Sequence, residues 1–318
     1  MESSETQKPR IGILTLTPTS HVHKYVAEGK YKVNKGSIGK SEIQDVLEVA
    51  TFIDLNYINY AKLGGMEPVP LLLDDTEEET LAQLETLNGV LLTGGAEIMY
   101  DVMEFQSDKA THYQRRVRFL LEQTKRINDS GRYFILYAIC LGYESLLSAE
   151  NNNKCMLKTV DHQVKAYKGN QLLKGAETTR FCSYLAQDVD LLEQPINYFY
   201  HKYGVLLEDF YECEGLSEKM QAFSYIPLDN GFNVLTGAEY KDYPIYLVLF
   251  HPEKVQPIGD TALDEKRKYL QEKLTKYINI EIKRAGASYY KGPIRQPVLE
   301  LEFPGHYGVR YLYIKEKS

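Results

Sequence analysis

Apolar runs and helically spaced segments alternate through the first half of this chain. Arg10 to Leu16 is a short apolar run closed by Thr17-Pro18-Thr19, and it reads as a strand. Ser20 to Ser41 carries scattered Gly and Lys without a clear period, and a long surface loop is expected there. Val46 to Leu63 has helical apolar spacing up to Gly64-Gly65, a C-terminal stop signal. Pro68 to Leu73 is a second strand. Asp74-Asp75-Thr76 before Glu77-Glu78-Glu79 is a helix start, because an acidic first turn complements the helix dipole. Val90 to Thr93 is a third strand, ending at Gly94-Gly95. His112 to Asn128 is a helix, Tyr133 to Tyr137 a fourth strand, and Leu141 to Ala149 a helix. This alternation predicts an α/β fold: a parallel sheet with helices on both faces and sites at the carboxyl ends of strands.

The second half is less regular. Asn151-Asn152-Asn153 reads as a turn, followed by short strands near Cys155 to Val160, Ile196 to Tyr200, Met220 to Ile226 and Phe232 to Leu235. Tyr243 to Phe250 is the clearest strand there, and it runs into His251-Pro252-Glu253. Thr261 to Ala285 has helical spacing and ends near Gly286. The tail from Tyr289 to Ser318, with Pro293, Pro297 and Pro304, reads as a strand pair laid along the surface or as a partly mobile end. With no internal repeat or domain-sized linker, one domain over residues 9–286 and a C-terminal extension over residues 287–318 are expected.

Composition narrows the function classes. A net charge of −7 over 318 residues argues against nucleic-acid binding, which needs clustered Lys and Arg. The basic cluster Arg115-Arg116-Val117-Arg118 reads as a solvated helix face with Glu122 nearby. No run approaches the ~18–20 apolar residues that span a bilayer. Met1 to Arg10 is polar, without an apolar leader core, so a cytoplasmic location is expected. Cys140, Cys155, Cys182 and Cys213 are too few and scattered for a disulfide scaffold, and no CxxC pair suggests zinc. Asn128-Asp129-Ser130 fits a glycosylation sequon by chance.

Three features can carry chemistry. Cys140 sits in Tyr137-Ala138-Ile139-Cys140-Leu141-Gly142-Tyr143-Glu144, at a strand-to-helix seam. A cysteine on such a turn is aimed outward, and the helix N-terminus favours its thiolate. Position alone equally allows a small buried core residue. His251-Pro252-Glu253 ends another strand; the imidazole can take a thiol proton, and a carboxylate two residues on can hold its tautomer. An isolated H-P-E is more often an ordinary turn. Thr93-Gly94-Gly95 lets backbone N–H groups approach a developing oxyanion, although Gly-Gly after a strand usually marks only a tight turn.

In this order and spacing the three together resemble class I glutamine-amidotransferase-like proteins, and within them the γ-glutamyl hydrolases (folylpoly-γ-glutamate hydrolases). The resemblance covers about Arg10 to Ala285. It rests on Arg10-Ile11-Gly12-Ile13-Leu14, on Phe52-Ile53 with Tyr57-Ile58-Asn59-Tyr60, and on Asn88-Gly89-Val90-Leu91-Leu92-Thr93-Gly94-Gly95. It continues through Cys140-Leu141-Gly142-Tyr143-Glu144 and through Tyr243-Pro244-Ile245-Tyr246 leading to His251-Pro252-Glu253-Lys254. It implies a three-layer sandwich with a mostly parallel central sheet and a flavodoxin-like core. Cys140 matches the nucleophile, His251 the general base and Glu253 its orienting carboxylate. Gly94, Gly95 and the Leu141 backbone match the oxyanion hole. Glu144 and His201 match substrate-side positions. Two departures stand out: Ala138 occupies the first glycine position of the usual elbow, and Val255-Gln256-Pro257-Ile258-Gly259-Asp260 replaces an aromatic-rich segment.

The implied activity is hydrolysis of γ-glutamyl bonds, in folylpoly-γ-glutamates or related peptides, through a Cys140 thioester. No metal or organic cofactor is implied. The partner is a small γ-glutamyl substrate, with neither nucleic acid nor membrane; a homodimer or incorporation into a larger assembly stays open. The family is often lysosomal, vacuolar or secreted, whereas this N-terminus suggests the cytoplasm. Two alternatives remain: a weakly active or inactive member with a binding or structural role, and a glutaminase subunit.

Overall fold

The structure is a computed structural model and describes residues 8–36, 40–95, 112–151, 158–213, 215–254, 256–285, 293–303 and 308–315. Asn152-Asn153, Cys155, Val255, Gly286, Tyr289 and Pro304 lie outside the described residues. The first half runs β1 (Arg10–Leu14), α1 (Ser20–Ala27), β2 (Lys32–Lys35), α2 (Lys40–Val49), β3 (Ala50–Asp54), α3 (Leu55–Leu63), β4 (Glu67–Leu71), α4 (Glu77–Leu84), β5 (Gly89–Leu92), α5 (His112–Asp129), β6 (Ile135–Ile139) and α6 (Leu141–Glu150). The second runs β7 (Lys158–Lys168), β8 (Gln171–Leu172), α7 (Arg180–Leu185), β9 (Asn197–Gly204), α8 (Leu207–Glu212), α9 (Leu216–Lys219), β10 (Met220–Pro227), β11 (Asn233–Tyr240), β12 (Ile245–Val248), α10 (Thr261–Lys283), β13 (Leu299–Phe303) and β14 (Gly308–Ile314).

The main sheet has the order β4-β1-β5-β6-β12-β11-β10-β8. Its first five strands are parallel, and β11, β10 and β8 extend it in antiparallel fashion. Every residue of β5, β6 and β12 is buried, so the sheet is covered on both faces. Helices α5 and α6 pack together against it, as do α3 and α10, giving the layers helix, sheet, helix. The adjacency β5-β6-β12 is what builds the site: three carboxyl ends open side by side, followed by Gly94, Cys140 and His251.

Four expectations are corrected. Ser20–Ser41 is not one loop. The Thr19 side chain accepts the Val22 N–H and caps α1, which buries Val22 and Val26 one turn apart. The polar residues around that pair hide the period, and β2 is a largely exposed strand with little apolar signature. Val46–Leu63 is not one helix either. Residues Ala50–Asp54 pair antiparallel with β14, from Ala50 opposite Ile314 to Asp54 opposite Arg310. That distant partner overrides local helical spacing. Asp54 then restarts the helix by accepting the Asn56 N–H at 2.9 Å.

The third correction concerns Arg116, which is buried instead of solvated. Its guanidinium donates to Thr80 Oγ1 at 2.8 Å and to the Leu73 and Asp75 carbonyls. The fourth concerns the cysteines: Cys140 and Cys182 are free and buried, but Cys213 is disulfide-bonded. The tail, for its part, is woven into the body. β13 and β14 complete a sheet of order β2-β13-β14-β3, and Leu299, Leu301, Phe303 and Leu312 are buried there.

Candidate active site

Local sequence explains the elbow at Cys140. β6 is a fully buried apolar strand, and α6 begins one residue after Cys140, leaving no room for a loop. The turn is made by the cysteine itself, at φ +50° and ψ −107°, a region that L-residues rarely occupy. Its N–H donates to the Val248 carbonyl of β12 at 2.9 Å, and its carbonyl accepts the Glu144 N–H at 2.9 Å. Gly142 is required by close packing: a Cβ there would lie 2.6 Å from Leu92 Cβ and 2.7 Å from Leu92 O. Ala138 is buried within β6, in register with Leu92 and Leu247, and the elbow forms with its methyl in place.

The thiol is buried and donates toward the Tyr200 carbonyl at 3.7 Å. Burial pushes its pKa well above the ordinary thiol value. Glu144 and Glu253 push the same way, against the Leu141 N–H and Lys254. Cys140 is therefore a buried neutral thiol, not the outward-aimed thiolate expected at a helix N-terminus, and to act as a nucleophile it needs a base.

The base is at hand. His251 Nδ1 meets Glu253 Oε1 at 2.7 Å, and both residues are buried. With Nδ1–H donating to the carboxylate, Nε2 carries the free lone pair, and among the described residues it has no hydrogen-bond partner. The turn holding the dyad is tied down on two sides. The His251 N–H donates to the Tyr198 carbonyl of β9 at 2.8 Å, and Gln271 and Arg267 of α10 donate to the Pro252 and Lys254 carbonyls at 2.8 and 3.1 Å.

Gly94 sits between nucleophile and base. A Cβ on it would lie 2.8 Å from His251 Cε1, 2.8 Å from the Tyr57 hydroxyl and 3.1 Å from Cys140 Cβ. Its N–H donates to that hydroxyl at 2.7 Å. Gly95 faces elsewhere, toward Leu16 and Leu141. The Leu141 N–H, first in α6, favours the thiolate form of Cys140.

Glu144 and His201 join the site from α6 and β9. Glu144 is buried, and burial pushes its carboxyl up to about 8, so it is protonated at neutral pH; its Oε1 has no partner among the described residues. His201 is wholly buried, and burial lowers its imidazole to about 4. Its Nδ1 donates to the Tyr203 carbonyl at 2.8 Å, leaving a neutral ring with an unpartnered Nε2 under the electrostatic influence of His251. The structure thus brings together Gly94, Cys140, Leu141, Glu144, His201, His251 and Glu253. Sequence reasoning missed the role of Tyr57, although it lies in Tyr57-Ile58-Asn59-Tyr60, and that of Lys254, the residue after H-P-E. Only tertiary contacts mark them.

Known proteins share much of this chain. The sequence profile described as peptidase C26 matches residues 34–208, more than half of the chain. Gamma-glutamyl hydrolase 1 of Arabidopsis thaliana is 27% identical over 213 residues, covering 64% of this chain and 56% of its own length. Gamma-glutamyl hydrolase of Rattus norvegicus is 26% identical over 209 residues, covering 64% and 61%. The matched region thus spans less than two thirds of these relatives. Among solved structures, PurLQS from Thermotoga maritima superposes over 85% of this chain and 99% of its own, with 14% identity and a TM-score of 0.45. The family match covers β2 to the start of α8 and includes Gly94, the Cys140 elbow, Glu144 and His201: the chain belongs to the peptidase C26 family.

Proposed function

We propose that this protein hydrolyses γ-glutamyl bonds, in folylpoly-γ-glutamates or related γ-glutamyl peptides, with Cys140 as nucleophile. One observation carries the reading. A non-glycine residue at φ +50° presents a sulfur at the end of β6, beside a His251–Glu253 dyad at the end of the neighbouring strand. Strained backbone of this kind clusters at functional sites, but Ala186 shares it at φ +47°, so it is the dyad beside the sulfur that marks Cys140.

The chemistry follows from the protonation states. His251 Nε2 takes the Cys140 proton as sulfur attacks the γ-carbonyl, and Glu253 stabilises the imidazolium. The negative oxygen of the tetrahedral adduct lies by the start of α6, where the Leu141 N–H and the helix dipole favour it, and next to the Tyr57 hydroxyl, which holds the Gly94 N–H. His251 returns its proton to the departing amine, leaving a thioester on Cys140. Water, deprotonated by the same imidazole, then releases the γ-glutamyl acid and restores the thiol. The unpartnered Glu144 Oε1 and His201 Nε2 are polar atoms that a substrate could satisfy on binding.

The test is release of glutamate from a synthetic di-γ-glutamyl peptide by the purified chain and by Cys140→Ala. Turnover that vanishes in the variant supports the reading; equal turnover in both sinks it. Ammonia release from free glutamine, with the peptide left intact, would point to a glutaminase.

A further inference from the structure

Behind the dyad lies a charge cluster that the thioester chemistry does not use. Lys254, next to Glu253, is mostly buried, its side chain 12% exposed, and its ammonium donates to Asp54 Oδ2 at 3.1 Å. Asp54 closes β3 and caps α3 with its other oxygen. The third element is β14. Arg310 stands opposite Asp54 in the antiparallel register and lays its guanidinium 4.2 Å from the Phe52 ring centroid. Burial alone would raise the Asp54 carboxyl. Lys254, Arg310 and the Asn56 N–H together hold it below the ordinary range. Lys254 is the mirror case: burial would lower it, but Asp54 and Glu253 keep it raised.

The cluster joins three pieces of chain that the active site depends on. Lys254 belongs to the turn that carries His251 and Glu253. Asp54 fixes the first turn of α3, which carries Tyr57 to the Gly94 N–H. Arg310 comes from the C-terminal strand. Asp54, Glu253, Lys254 and Arg310 sum to zero charge, so the loss of one leaves a buried charge uncompensated. We propose that Lys254 and Asp54 are positioning residues of the catalytic centre, and that Arg310 brings the C-terminal strand into the same device. The Lys254–Asp54 pair sets the placement of both the dyad and Tyr57. The Lys254 charge also offsets that of Glu253 near the Cys140 sulfur.

Other groups bear on the same atoms. Cys140 is faced by Glu144 of its own helix, Glu253, Tyr57 of α3 and His251, with His201 on β9. Lys254 is faced by Asp54, Glu253, Arg310 and Tyr198 of β9, and its carbonyl by Arg267 of α10. Among these, Lys254 is the cation that acts on the thiol from the dyad's own turn.

The experiment measures alkylation of Cys140 by iodoacetamide against pH, on the full chain and read by peptide mass, with thermal melts alongside. It depends on the cysteine-hydrolase reading only through a parallel di-γ-glutamyl assay. Lys254→Met is expected to move the alkylation midpoint upward by about one pH unit, or about tenfold slower modification on the acid side. Lys254→Arg should restore the native midpoint. In the kinetic assay Lys254→Met should lower kcat with KM unchanged, as a residue acting through the dyad requires; a change confined to KM overturns the positioning role. A Lys254→Met protein with a native melt and a native alkylation profile overturns the proposal. Should that variant not fold, Arg310→Gln, at a half-buried position, decides. A smaller upward movement of the alkylation midpoint supports the device, and a native profile overturns it. A chain inert toward the γ-glutamyl peptide but altered in alkylation by Lys254→Met would sink the functional reading while supporting the positioning role.

Discussion

The Tyr57 hydroxyl accepts the Gly94 N–H at 2.7 Å, so an N–H expected to face an oxyanion is already held by a phenol. That phenol retains its own proton. The hydroxyl lies 2.8 Å from the point where a Gly94 Cβ would project, as does His251 Cε1. The tyrosine therefore lines the candidate site, and under the proposed mechanism its hydroxyl proton is the donor offered to the oxyanion in place of the Gly94 N–H.

Tyr57→Phe should consequently lower kcat by ~10²-fold, the scale of losing one oxyanion donor. Steady-state kinetics on a γ-glutamyl peptide would measure it. An effect confined to KM would assign Tyr57 to ground-state binding instead.

Gly94→Ala should be more damaging to activity than to the fold. The added methyl would meet His251 and Tyr57 at 2.8 Å, closer than real Cβ contacts, and Cys140 at a tight 3.1 Å. Relief requires the catalytic side chains to move, at a stability cost of ~1–3 kcal/mol. A melt lowered by a few degrees with turnover nearly abolished is the expected pair of results.

Glu144 gives a pH signature. Its carboxyl sits at about 8 in the fold against an ordinary 4.5, because burial disfavours the charge. Between those values the native state holds a proton that the unfolded chain has lost, so stability falls as pH rises through that window. One proton can change stability by at most ~1.4 kcal/mol for each pH unit crossed. Glu144→Gln removes this dependence, and the variant's melting temperature should decline less between about pH 5 and 8. Parallel declines in both proteins would refute the burial account.

His201 gives the opposite sign. Its folded pKa of about 4 lies below the ordinary 6.5, so the unfolded chain binds the extra proton in that window. This stability is present above about 6.5 and is lost as pH falls toward 4. His201→Gln should flatten the acid limb of a melting-temperature profile.

The tail can be tested through Leu301, wholly buried in β13. Leu301→Ala should cost ~2–5 kcal/mol, as for any truncated core leucine. Chemical denaturation would measure it. A native midpoint would mean that the strand contributes nothing to the body.

Much of the candidate site's local structure was legible in the chain. The apolar run before Cys140, the helix after it and His251-Pro252-Glu253 are local patterns. They fold locally: β6 is buried end to end, α6 starts at once, and the dyad spans three residues. The capping box at Thr76 and Glu79 was equally plain.

What sequence alone could not decide depends on partners distant along the chain. β3 is a strand because β14 pairs with it, and Arg116 is buried because three acceptors from other elements surround it. The side-by-side order β5-β6-β12 brings Gly94, Cys140 and His251 together. Local patterning determined where the candidate side chains stand on strands, turns and helices, since propensity and capping act over a few residues. Tertiary structure decided what each of them faces, because burial and charge pairing depend on neighbours that only folding supplies.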